Sequence, residues 1–88
     1  MTWRIERVSA QGRTILRLSG RIQSEYLAAL QAQIEGSEPH VALDLEEVTL
    51  VDVGAVRFLI VCEESGIALL HCSAYIRQWM VRERSGPR

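Results

Sequence analysis

The second half of the chain switches so tightly between strand-like and helix-like runs that few topologies can hold it. Val41, Leu43 and Leu45 alternate with Ala42 and Asp44 as in a buried strand, and Glu46-Glu47 reads as the start of a short connection. Val53 to Ser65 is good helix material closed by Gly66, and Ile67 to His71 follows at once as a second buried strand. Two strands of one sheet joined through a helix lie parallel, and their crossover is right-handed. The back half is therefore an α/β unit.

The front half supplies the rest of the sheet. Trp3 to Ser9 and Thr14 to Ser19, joined through Gln11-Gly12-Arg13, predict a β-hairpin in which Thr14, Leu16 and Leu18 share one face and Ile15 and Arg17 the other. Ser24 is the expected N-cap of a helix whose Leu27, Leu30 and Ile34 form one stripe, with Gly36 as its stop. Ser37-Glu38-Pro39 then turns the chain into the next strand. At the other end Ser73 caps a last helix, where Ile76, Trp79 and Met80 line up on one side. The order is ββαβαβα: a small single domain over residues 1–82, with a mixed, mostly parallel four-stranded sheet and three helices, and a polar, flexible tail at 83–88.

With 88 residues there is room for one core and one functional surface. The longest uninterrupted apolar run, Phe58 to Cys62, is far too short to span a bilayer, and the charged N-terminal stretch MTWRIERV does not read as a signal peptide, so a cytoplasmic protein is expected. Net charge is −1, distributed as +4 over residues 1–21, −8 over 22–76 and +3 over 77–88. Every basic residue is arginine. This balance does not suit a phosphate-backbone binder, and no nucleic-acid partner is expected. Cys62 and Cys72 are too few for a disulfide scaffold and are not spaced as a metal knuckle, so both are expected as reduced packing residues, and no metal or cofactor is expected.

In an α/β sheet, ligands gather where strands run into helices, and VTLVDVGAVRFL, Val48 to Leu59, is such a place. A phosphate loop there needs several glycines or a lysine, whereas the stretch offers Gly54 alone. The phosphoacceptor arrangement of response-regulator receivers also requires an acidic pair after the first strand and a lysine, and neither is present.

The segment HVALDLEEVTLVDVGAVRFLIVCEESGIALLHCS resembles the central signature of the STAS domain, the module of sulfate transporters and bacterial anti-sigma factor antagonists. In that family a strand reading roughly V-x-L-D-L precedes V-T-x-I-D-S-S-G-L and a helix. Val41, Leu43, Asp44, Leu45, Val48, Thr49, Val51 and Asp52 match the pattern, and Leu18-Ser19-Gly20-Arg21-Ile22 extends it toward the N-terminus. The resemblance implies a bacterial, non-enzymatic interaction module that regulates transcription by binding an anti-sigma factor or switch kinase. The alternative it implies is a cytoplasmic accessory subunit of a lipid or anion transporter, peripheral to the membrane. In switched members the second serine of D-S-S-G accepts phosphate; here Asp52 matches the acid, Val53 the first serine, Gly54 the acceptor and Ala55 the glycine. Gly54 cannot be phosphorylated, and Thr49 and Ser65 carry the nearby hydroxyls.

The helix that follows marks the expected docking surface. At one hundred degrees per residue, Ala55, Phe58, Leu59 and Cys62 form the core face, whereas Val53, Arg57, Ile60 and Glu64 fall on the wet side with Val56 and Val61 flanking it. Valine and isoleucine on a wet face are explained either by a partner or by cover from the third helix or a neighbouring loop. Val53, Arg57, Ile60 and Glu64 are the predicted partner-binding residues, and Asp52 with Val53 forms the helix-start turn. Asp52 is expected to accept backbone amides there as an N-cap. No catalytic set emerges: His71 and Cys72 are adjacent and would point to opposite faces of a strand, and His40 is expected to be exposed. Asp44 is expected to face solvent or a backbone amide. Self-pairing through the exposed edge of the hairpin would give a homo-oligomer, although nothing in residues 3–19 demands it.

Overall fold

A computed structural model describes residues 3–37 and 40–85. Strands β1 (Trp3–Ala10) and β2 (Arg13–Ile22) form the hairpin; a 3-10 turn at Ser24–Tyr26 leads into α1 (Leu27–Glu35). Then come β3 (Val41–Val51), α2 (Val53–Glu64), β4 (Ala68–Leu70) and α3 (Ala74–Arg84). The sheet order is β1-β2-β3-β4, antiparallel at the hairpin and parallel beyond it. The expected α/β class and ββαβαβα order are both present.

The hairpin closes through two residues with positive φ, Gln11 at 52° and Gly12 at 81°, so the loop twists with the strands as a short hairpin requires. Register then decides the faces. Leu16 pairs with Leu43 and Leu18 with Ile5, so these side chains share one side. That side joins Leu30 and Ile34 of α1, Ala55, Val56 and Leu59 of α2, and Ile76 and Met80 of α3 in a single core. On the other side Glu6, Arg17 and Asp44 stand in a row, set by the pairings Glu6 with Arg17 and Arg17 with Asp44.

Four local expectations are corrected. Glu46-Glu47 is not a connection: β3 runs on to Val51, and its register against β2 slips twice, between Arg17 and Ser19 and between Gly20 and Arg21. Two bulges absorb the extra residues, and Gly20, at φ 85°, supplies the left-handed backbone beside the second. Ser24 is not the N-cap of α1; it opens the 3-10 turn, and Tyr26 occupies the cap position. β4 is shorter than Ile67–His71 and only half-buried, because it is an edge strand with no neighbour on its outer side. Glu83 and Arg84, placed in the flexible tail, belong to α3, while 86–88, like Glu38 and Pro39 of the predicted turn, lie outside the described residues. Gly36 does end α1, although its φ of −76° is not left-handed, and Gly66 ends α2 at φ 97°.

The helices are fastened at their starts and along their flanks. Ser73 Oγ accepts the Ile76 amide at 3.2 Å, the cap read from the sequence. Arg77 and Arg84 both reach Glu63, at 3.0 and 3.1 Å, and Arg57 reaches Glu83 at 3.1 Å, so α3 is clipped along α2. Trp3 stacks on Tyr26 with ring centroids 4.7 Å apart, holding the 3-10 turn against β1. Among the described residues, no helix is long and apolar enough to cross a membrane.

Candidate functional site

The carboxyl end of β3 delivers Asp52 to the start of α2, with extended backbone that suits an N-cap. Asp52 Oδ1 accepts the Ala55 amide at 2.8 Å, as expected. Oδ2 accepts the backbone N–H of Ser24 at 2.9 Å, and the Ser24 hydroxyl donates to the carboxylate at 3.1 Å. One carboxylate thus caps α2 and holds the turn before α1, across 28 residues of sequence. Burial pushes the Asp52 pKa up, but the amides of Ser24 and Ala55 and the Ser24 hydroxyl outweigh it and hold the group below its ordinary value. An acid so held is a structural anion and a poor proton acceptor.

Ser24 is the residue of this site that sequence reasoning missed. A Cβ built on Gly54 would fall inside the van der Waals envelope of Ser24 Oγ, 3.1 Å from Ser24 Cβ and 3.6 Å from Asp52 Oδ1. Gly54 is small because Ser24 occupies the space beside it. Gly54→Ser is expected to cost about 1–2 kcal/mol, because the new side chain drives Ser24 off Asp52. With Gly54→Ser in place, Ser24→Gly should cost little more, because the hydroxyl it removes is already displaced, and urea melts of the two single variants and the double variant measure the coupling. Additive losses would disprove the steric match. Thr49 lies within β3 and Ser65 at the end of α2, where its hydroxyl donates to the Val61 carbonyl at 2.9 Å.

The predicted docking residues separate. Val53 is exposed, and so are Arg57 and Glu64, which are drawn toward α3 by Glu83 at 3.1 Å and Arg84 at 3.6 Å. Ile60 is not on the surface: only 9 % of it is accessible, because α3 lies over that flank of α2 with Ile76 and Met80 in the same core. Val56 is buried as well. Val61, 59 % accessible, takes the place assigned to Ile60. The exposed ridge therefore runs Val53, Arg57, Val61 at successive helical turns, rotated toward α1. Beside it lies a groove of about 310 Å³ between α1 and α2, lined by Gln31, Gly54, Phe58, Val61 and Ile67 among others. Leu50, also exposed, precedes the helix start.

The remaining candidates are less available. Cys62 is buried, and burial pushes its thiol up to about 11; burial also raises Cys72, so neither is disposed to form a thiolate at neutral pH. His40 is exposed, as expected. His71 is not in a strand: it follows β4 at φ 56°, and its Nδ1 lies 3.1 Å from Asp44 Oδ1. Asp44, expected to face solvent or an amide, is almost buried and does accept the Glu46 amide, at 3.0 Å.

No family model matches the chain, and no significant match to it is found among curated proteins.

Proposed function

We propose that the chain is a non-enzymatic interaction module of STAS type, which regulates transcription by binding a protein partner such as an anti-sigma factor or switch kinase, without phosphorylation at Gly54. The observation that carries the reading is the pair of exposed valines on α2, Val53 and Val61, the second of which lines the groove between α1 and α2; Leu50 is also exposed, two residues before the helix cap. An exposed valine on a concave surface that Phe58 and Ile67 also line, with Arg57 at its edge, has the composition of a contact patch. The residues at the helix start favour binding over group transfer, since both oxygens of Asp52 are committed to Ser24 and Ala55. The docking set becomes Leu50, Val53, Arg57, Val61 and Glu64, with Ile60 removed.

A photo-crosslinking amino acid at position 61, compared with one at Gln78 on exposed α3, tests the surface in the source cell. A protein adduct specific to position 61 and abolished by Val53→Asp is expected. Equal adducts at both positions, or none, would sink the reading. An adduct with a permease or its ATPase would replace the regulatory assignment by the transporter one.

A further inference from the structure

The far side of the sheet, away from the groove, brings together a donor set unrelated to docking. We propose that Asp44, Glu46 and His71 form a binding site for a borderline divalent metal ion of the zinc type. The convergence follows from register. Asp44 pairs with Leu70, so the residue after Leu70, His71, arrives beside Asp44, and Glu46 lies two positions further along β3. One ligand atom from each residue lies within 4.8 Å of the others. His71 Nδ1 is 3.1 Å from Asp44 Oδ1 and 4.0 Å from Glu46 Oε1. Bonds of about 2.0–2.2 Å in a tetrahedral site place ligands about 3.3–3.6 Å apart, so small rotations bring the three donors onto one ion.

The division of labour suits such a site. Asp44, with only 12 % of its side chain accessible, is fixed by the Glu46 amide, whereas Glu46 and His71 are exposed and free to adjust. His71 is presented from a left-handed backbone, a conformation few non-glycine residues adopt. The Arg17 guanidinium lies 3.9 Å from Asp44 Oδ2, the other oxygen, and leaves Oδ1 facing the histidine. One imidazole with two carboxylates is a zinc-type donor set, and the imidazole disfavours calcium and magnesium. Binding requires Nδ1 without its proton, the hydrogen staying on Nε2; water completes the fourth position on the exposed side.

Calorimetric titration of the purified protein with zinc chloride alone tests the site. Saturable binding of one ion per chain is expected, weakened about tenfold or more by Glu46→Gln and by His71→Gly. His71→Gly suits the left-handed backbone and so should fold, and Glu46 is exposed. Cys72→Ser should leave the affinity unchanged. Cobalt absorption of the tetrahedral kind should appear in wild type and vanish in both site variants. Absence of saturable binding below about 1 mM, or equal affinity in wild type and both site variants, overturns the proposal.

Discussion

Ile60→Glu is expected to destabilise the domain by about 3–5 kcal/mol, whereas Val61→Glu, one residue on, should change stability by no more than about 0.5 kcal/mol. The two positions look alike in the sequence, both β-branched and apolar within one helix. Ile60 is sealed between α2 and α3 together with Ile76 and Met80, so a carboxylate there loses its water and gains no partner. The nearest charged groups on α2 and α3 are already engaged, Glu63 with Arg77 and Arg84 and Arg57 with Glu83, and a further anion would compete for those arginines. Val61 projects beside the groove into solvent. Because a domain of this size is stable by only about 5–10 kcal/mol, the first variant should lose much of its cooperative urea transition and the second should retain it. Two similar melts would place α3 elsewhere than along this flank.

The contrast shows where sequence reasoning stops. A helical wheel reports periodicity about one axis, and it placed Ala55, Leu59 and Cys62 inward as the structure has them. It carries no information about where the next helix lands, and that landing rotates the exposed ridge from Ile60 toward Val61. The hairpin turn and the caps at Asp52 and Ser73 were legible, because each depends on residue types within a few positions. β3 was broken too early for a different reason: Glu46-Glu47 is polar and reads as a loop, yet two bulges let the strand carry it to Val51. The site on the far face was beyond reach altogether, since bringing His71 to Asp44 depends on the parallel register of β3 and β4. Ser24 shows both levels at once. Its residue type fits a local cap, and its hydroxyl is drawn instead to an acid 28 positions away.

Removing that acid should have the second large effect. Asp52→Ala is expected to cost about 2–4 kcal/mol: a lost N-cap worth about 1 kcal/mol, and two lost bonds from Ser24 that are exposed to solvent and so contribute about 0.5–1.5 kcal/mol each. The loss is greater than for an ordinary cap because the carboxylate ties the turn before α1 to the start of α2. Asp52→Asn preserves size and an acceptor oxygen and should lose less, which separates geometry from charge. The charge part has a definite pH signature. Asp52 titrates below its unfolded value, so its stabilisation is fully present above the ordinary carboxylate range, near pH 4, and drains away as pH falls through the folded pKa. Wild type should therefore weaken between about pH 5 and the folded pKa more steeply than Asp52→Asn. Hydrogen bonds from Arg77 and Arg84 lower the Glu63 pKa in the same sense, so the variant's slope should be reduced and not abolished. Urea midpoints measured from pH 7 to pH 3 decide it: parallel curves for wild type and Asp52→Asn would mean that the charge at the helix start contributes nothing to holding Ser24, and that the turn before α1 is held by Trp3 and Tyr26 instead.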